Sequence, residues 1–157
     1  MAPAVSRDDL GAWQLKCNPA LWDLRAFLDS GERRITSWAV QHNYRSDLMR
    51  PGDRVLFWVS GNGRGGLTRG LWGDGEIAAE AEDWVDAEPG LWLAEEPRRA
   101  VRARVEVDIG LWDSPVAVTE LRLHGLADLE VLRMPFGSNP SWVSRPQLRA
   151  VEELVRP

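Results

Sequence analysis

Pro51-Gly52-Asp53-Arg54-Val55-Leu56-Phe57-Trp58-Val59-Ser60 sets a tight turn directly ahead of an unbroken run of β-favouring apolar residues. Proline presets φ and glycine accepts the positive φ that such a turn needs. A β-rich apolar run bounded by turn residues reads as a strand. It is expected to be a central strand, with Leu67 to Ala78 as its hairpin partner across Gly61-Asn62-Gly63-Arg64-Gly65-Gly66. That connecting loop matches the dinucleotide-binding pattern G-x-G-x-x-G, which requires a helix to open at once. Gly70, Gly73 and Gly75 stand where the helix should run, each weakening it by about 1 kcal/mol relative to alanine. A flexible hairpin loop is the expectation.

Upstream, Trp13-Gln14-Leu15-Lys16-Cys17 alternates apolar and polar residues, as a half-buried strand does, and Asn18-Pro19 ends it because proline donates no ladder hydrogen bond. Residues from Trp22 to Ser30, followed by Gly31, predict a short helix with a glycine cap. Ser37-Trp38-Ala39-Val40 is a short apolar segment, and Asn43-Tyr44-Arg45 a loop or a single helical turn. Downstream, Glu80 to Pro97 shows no sustained period and is read as a long loop carrying Trp84 and Trp92. Val101 to Val107 alternates cleanly as a strand. A short helix is expected around Glu120 to His124. Ser144-Arg145-Pro146-Gln147 has the form of a capping box ahead of a closing amphipathic helix over Leu148 to Val155. The fold class is α+β: a mixed β-barrel or curved sheet with short peripheral helices.

The 157 residues suit one domain, expected over 12–157 after a frayed lead-in over 1–11. No apolar run approaches the roughly 20 residues needed to cross a bilayer. Met1 to Gly11 lacks the pattern of a signal peptide, so a cytoplasmic location is expected. One cysteine, Cys17, neither forms an internal disulfide nor makes a metal site alone, and it is expected to be a buried small residue. No cluster of His, Cys, Asp or Glu has metal-binding spacing, and no cofactor is expected. The net charge of −5 counts against a protein that grips duplex DNA through a broad basic face. Carboxylates are concentrated from Glu76 onward, which places expected phosphate contacts in the first half of the chain.

Catalysis requires a titrating group with a partner, and the supply is thin. His42 and His124 are the only histidines, and a Cys17–His42 dyad has no nucleophile signature around it. Recognition of an unstacked base needs less: flat aromatic faces and a few polar groups for the base edge. Nine tryptophans, against one tyrosine and three phenylalanines, supply those faces. Core packing should take most of them. Trp22, Trp38, Trp84 and Trp92 lie outside clear strand alternation, with Asn18, Ser37, Asn43 and Ser60 in or beside nearby loops.

Taken in order, Trp13 to Pro19, Ser37 to Val40 with Asn43-Tyr44-Arg45, Pro51 to Ser60 and Gly70 to Ile77 resemble the EVE domain. Ser114-Pro115-Val116 and Phe136-Gly137-Ser138-Asn139-Pro140-Ser141 ahead of the last helix extend the likeness over about residues 12–155. The resemblance implies a PUA-like fold related to YTH domains, a small β-barrel with peripheral helices. It also implies a non-enzymatic reader of a modified base in DNA or RNA, with nucleic acid as the partner and neither metal nor membrane involved. By the same resemblance Asn18 and Trp38, with Ser37 or Ala39 beside it, match the positions that hold the base. Trp84 or Trp92 should supply a second aromatic wall, and Trp22 occupies a position that is polar in YTH relatives. Trp22 and Ser60 complete the expected base-binding set, and Asn43, Tyr44, Arg45 and Arg64 are the expected phosphate contacts. An enzyme acting on nucleotides or small ligands in the same cleft, and a protein-interaction module using exposed tryptophans, are the alternatives.

Overall fold

The computed structural model describes residues 4–85, 90–94, 102–137 and 139–156. Six strands form one mixed sheet: β1 Leu10–Cys17, β2 Arg34–Val40, β3 Arg54–Val59, β4 Gly70–Trp84, β5 Arg102–Ala117 and β6 Ser141–Ser144. Among the described residues, five short helices accompany them: α1 Leu24–Asp29, α2 Tyr44–Leu48, α3 Val118–Leu123, α4 Glu130–Arg133 and α5 Arg145–Val155. The sheet order is β2-β5-β4-β3-β1-β6, so the strand following Pro51-Gly52-Asp53 lies inside the sheet, as its composition demands. β1 and β3 run parallel, which requires the crossover that α1, β2 and α2 provide. The other pairings are antiparallel.

Alternation along β3 sends Val55, Phe57 and Val59 to one face and Leu56 and Trp58 to the other. Both faces are covered, which is why the run is apolar throughout. The first core gathers Trp13, Leu15, Trp38, Val105 and Ile109 beside α1, and the second packs Ala12, Leu71 and Val143 under Leu121 of α3 and Val151 of α5. α5 begins as its capping box predicts, with Ser144 accepting from Gln147 N and the Gln147 side chain accepting from Ser144 N.

The sheet is mixed and curled but not closed: β2 and β6 remain edges. Three irregularities bend the long β4–β5 ribbon. Its glycines are needed there, since a Cβ on Gly75 would lie 1.7 Å from Asp108 O. The curl brings β2 close to β1, where Trp38 Nε1 donates to Lys16 O at 3.1 Å. Asn139 spans what remains of the gap. Its Oδ1 accepts from Lys16 N at 3.1 Å, and its backbone oxygen accepts from Gln41 N at 2.7 Å, just past the end of β2.

Several expectations change: the implied barrel is not closed, and a strand at Ser141–Ser144 and a helix at Glu130–Arg133 add to the elements expected. The lead-in is not frayed over 4–11: Val5 is buried, β1 opens at Leu10, and Arg7 forks onto Asp53 at 2.8 and 2.6 Å. Residues 1–3 lie outside the described part. The loop expected from Glu80 is strand as far as Trp84, because the ribbon is longer than its apolar alternation. No described helix is long and apolar enough to cross a membrane.

Asp53, in the turn ahead of β3, also accepts from Trp13 Nε1 at 3.0 Å and Arg50 N at 3.0 Å. Burial pushes its carboxyl up, but hydrogen bonds from Arg7, Trp13 and Arg50 outweigh this and hold it below the usual carboxylate value. A carboxyl lowered in the folded state stabilises the fold above its unfolded value near about 3.9, and that contribution is lost as pH falls through the lower folded value. Urea unfolding of the wild type and of Asp53→Asn should therefore show a gap near neutral pH that closes as the pH falls below about 4. A gap of constant size would show that the carboxylate charge contributes nothing.

Candidate functional site

A cavity of about 960 Å³ opens where the C-terminal ends of β1 and β3 meet β2 and the far end of the β4–β5 ribbon. Trp38 on β2 contributes one wall. It is 9% exposed, and its ring stands edge-on to Phe57 at 5.0 Å and to Trp22 at 4.9 Å between centroids. Proline ends β1, and the chain turns on Asn18, whose backbone oxygen accepts from Leu21 N and Trp22 N and whose Oδ1 accepts from Ala20 N. This turn delivers Trp22 to the cavity. Trp92 is fixed against it by a short antiparallel bridge, with Asp23 N donating to Leu91 O and Leu93 N to Leu21 O, both at 2.7 Å.

Trp84 stands at the end of β4, 41% exposed, with the Arg104 guanidinium 4.7 Å from its ring centroid. Arg102 lies 4.5 Å from the Trp92 ring in the same way. Arg104 also donates to Ser37 Oγ at 3.0 Å. Ser60 Oγ lies 3.2 Å from Cys17 O, to which it donates, joining the ends of β1 and β3. On the other side, Lys16 Nζ donates to Gly137 O at 3.0 Å and Pro135 O at 3.4 Å, holding a rim on which Phe136 is fully exposed. Burial lowers the Lys16 ammonium pKa; Glu130 pulls it up and Arg45 pushes it further down.

Asn18, Trp22, Ser37, Trp38, Ala39, Ser60, Trp84 and Trp92, drawn from five separate segments, all line this one cavity. Trp84 and Trp92 both reach it, so the choice between them does not arise. Ser37 and Ser60 already hold partners, whereas Asn18 Nδ2 makes no hydrogen bond among the described residues.

The second predicted group does not assemble. Arg45 is 1% exposed and forks onto Glu130 at 2.6 and 2.9 Å, with Pro140 O accepting at 2.9 Å, so it is a structural ion pair that no phosphate reaches. Asn43 caps α2 through Arg45 N. Tyr44 OH, near Val5 N and Arg45 Nε at 3.3 Å, ties the lead-in to α2. Arg64 is exposed in a 3-10 turn within the hairpin loop and is not among the described residues that line the cavity.

Sequence reasoning missed Lys16, Arg69, Arg102, Arg104 and Asn139 as lining residues. Arg102 and Arg104 were hidden by their place on the polar side of a clean alternation, which reads as solvent-facing. Asn139 lies in the motif Phe136 to Ser141, which entered the sequence reading as part of the family likeness and without a role for its asparagine.

The groups considered for catalysis do not meet. Cys17 is buried, and desolvation pushes its thiol far above the ordinary value. His42 Nδ1 lies 2.9 Å from Asp83 Oδ1. Among the described residues no group of His, Cys, Asp and Glu is placed to hold a metal.

No protein-family model matches the chain, and no curated protein matches it in sequence. Its fold is similar to that of several solved structures. Rpa0253 from Rhodopseudomonas palustris aligns with a TM-score of 0.57 at 20% identity over 92% of both chains. A hypothetical protein from Leishmania major aligns with a TM-score of 0.58 at 23% identity over 96% of this chain and 100% of that one. PSPTO5229 from Pseudomonas syringae aligns with a TM-score of 0.59 at 15% identity over 91% and 98%. At these identities the likeness establishes the arrangement of strands and helices.

Proposed function

We propose that this protein is a non-enzymatic reader of a modified base in DNA or RNA, of the EVE type within the PUA-like group, which takes the base out of its stack into the tryptophan-lined cavity. The observation that carries the reading is the convergence of four tryptophans from four segments on one cavity of about 960 Å³. That volume lies within the range of small-ligand sites and leaves room for a base with a substituent. An unstacked base needs flat faces and a few edge contacts. Trp84 and Trp92 supply the faces, and Asn18 Nδ2 supplies a donor for the edge. The curl that brings β2 to β1 through Trp38 and Asn139 accords with a PUA-like barrel, although the ladder stays open there.

Stacking of a base on one aromatic ring contributes about 1–3 kcal/mol. Trp84 is partly exposed at a strand end, so Trp84→Ala should leave the fold intact and weaken binding about tenfold or more. The test titrates short oligonucleotides bearing cytosine, methylcytosine, hydroxymethylcytosine, adenine or methyladenine into the protein and follows tryptophan fluorescence. Selective binding of one modified base, weakened in Trp84→Ala, is the expected result. Unchanged affinity in that variant, or no response to any oligonucleotide, would sink the reading.

A further inference from the structure

We propose that the cavity takes a heteroaromatic ring that carries a phosphate, and that Arg69 is the residue that binds the phosphate. The inference rests on the base-reading function above and adds to it the charge of the ligand and the group that meets it. The chain as a whole carries −5, yet the charged side chains among the described lining residues are Lys16, Arg69, Arg102 and Arg104, without a carboxylate. A cleft lined by one sign of charge between apolar walls focuses its field on a ligand of the opposite sign.

Three of these four cations are already engaged. Lys16 Nζ donates to Gly137 O and Pro135 O, Arg104 donates to Ser37 Oγ and lies over Trp84, and Arg102 lies over Trp92. Arg69, immediately before β4, is half-buried and has no ion pair, side-chain hydrogen bond or ring contact among the described residues. Its backbone is held firmly. Arg69 O accepts from Val118 N at 3.1 Å, and the following residue, Gly70, approaches Val116 O so closely that a Cβ there would lie 2.0 Å from it. A half-buried arginine on an anchored backbone, permanently charged and with no partner for its donors among the described residues, is suited to forked binding of phosphate oxygens. Arg102 and Arg104 keep the two tryptophans oriented, while Arg69 meets the anion.

The phosphate belongs either to a free nucleotide or to a strand, and the experiment separates the two. Calorimetric titrations at low salt would compare the deoxynucleosides of methylcytosine, hydroxymethylcytosine and methyladenine with their monophosphates, with trinucleotides centred on the same bases, and with inorganic phosphate. Wild type, Arg69→Ala and Arg69→Lys are each measured, with circular dichroism to verify folding. The expected result is that a monophosphate or trinucleotide binds at least about tenfold more tightly than its nucleoside, that Arg69→Ala removes the increment, and that Arg69→Lys keeps part of it. Tighter binding of the trinucleotide assigns the phosphate to a strand, and tighter binding of the monophosphate assigns it to a free nucleotide. A nucleoside that binds as well as its phosphorylated forms, or an increment that survives in Arg69→Ala, overturns the inference and leaves the base reader standing. Binding of inorganic phosphate alone through Arg69 overturns the ring-bearing ligand together with the base reader, and silence from every probe overturns both.

Discussion

Glu130→Ala is expected to remove about 3–5 kcal/mol of stability, the cost of leaving one partner of a buried ion pair uncompensated. Glu130 on α4 and Arg45 on α2 have side chains 4% and 1% exposed, and two hydrogen bonds join them. Without the carboxylate, the Arg45 guanidinium keeps only Pro140 O and the neighbouring Tyr44 OH among the described residues. The guanidinium cannot shed its proton to relieve the penalty, because its pKa lies far above neutrality. Urea denaturation of the wild type and Glu130→Ala measures the loss directly. A change below about 1 kcal/mol would mean that water reaches Arg45 freely. The double variant Arg45→Met, Glu130→Leu should recover most of the loss, since an apolar pair of similar volume leaves no charge buried.

Trp38→Ala should cost a similar amount, about 3–5 kcal/mol, for the cavity left by a buried tryptophan. The ring holds Phe57 and Trp22 edge-on, and its Nε1 donates across the open seam to Lys16 O. Trp38→Phe keeps most of the apolar contact and gives up that hydrogen bond, a loss of about 1 kcal/mol. The pair of variants separates packing from the seam hydrogen bond: Trp38→Ala should lose both contributions to stability, Trp38→Phe chiefly the hydrogen bond. If thermal unfolding of Trp38→Ala matched the wild type, the seam between β1 and β2 would not depend on this ring. Trp84→Ala is the cleaner probe of ligand contact, because Trp84 carries little of the core.

Much of the fold was legible because its signals are local. The apolar run of β3, the turn ahead of it and the capping box of α5 depend on residues adjacent in sequence, and each was found where it was read. The end of β4 was missed because Glu80 to Trp84 carries no apolar alternation; pairing with β5 makes it a strand. The aromatic half of the cavity lining could also be read, since tryptophans and small polar residues beside loops are local features too.

The cationic half could not. Arg45 and Arg102 are the same residue type, and a helical turn that begins with asparagine and tyrosine looks like surface, while a polar position in an alternating strand looks like solvent. What decides between them is the element that packs opposite. Glu130, 85 positions away, takes Arg45 into the interior, and the curl of a sheet that stops short of closing puts Arg102, Arg104 and Arg69 around the same space as Trp84 and Trp92. The sequence by itself determined strands β1 and β3, the first parts of β4 and β5, the capped helix and the aromatic faces that line the cavity, because backbone turns and side-chain alternation act over a few residues. Only the tertiary structure decided which charges are buried and which line the cavity, because burial and electrostatic pairing are set by neighbours in space.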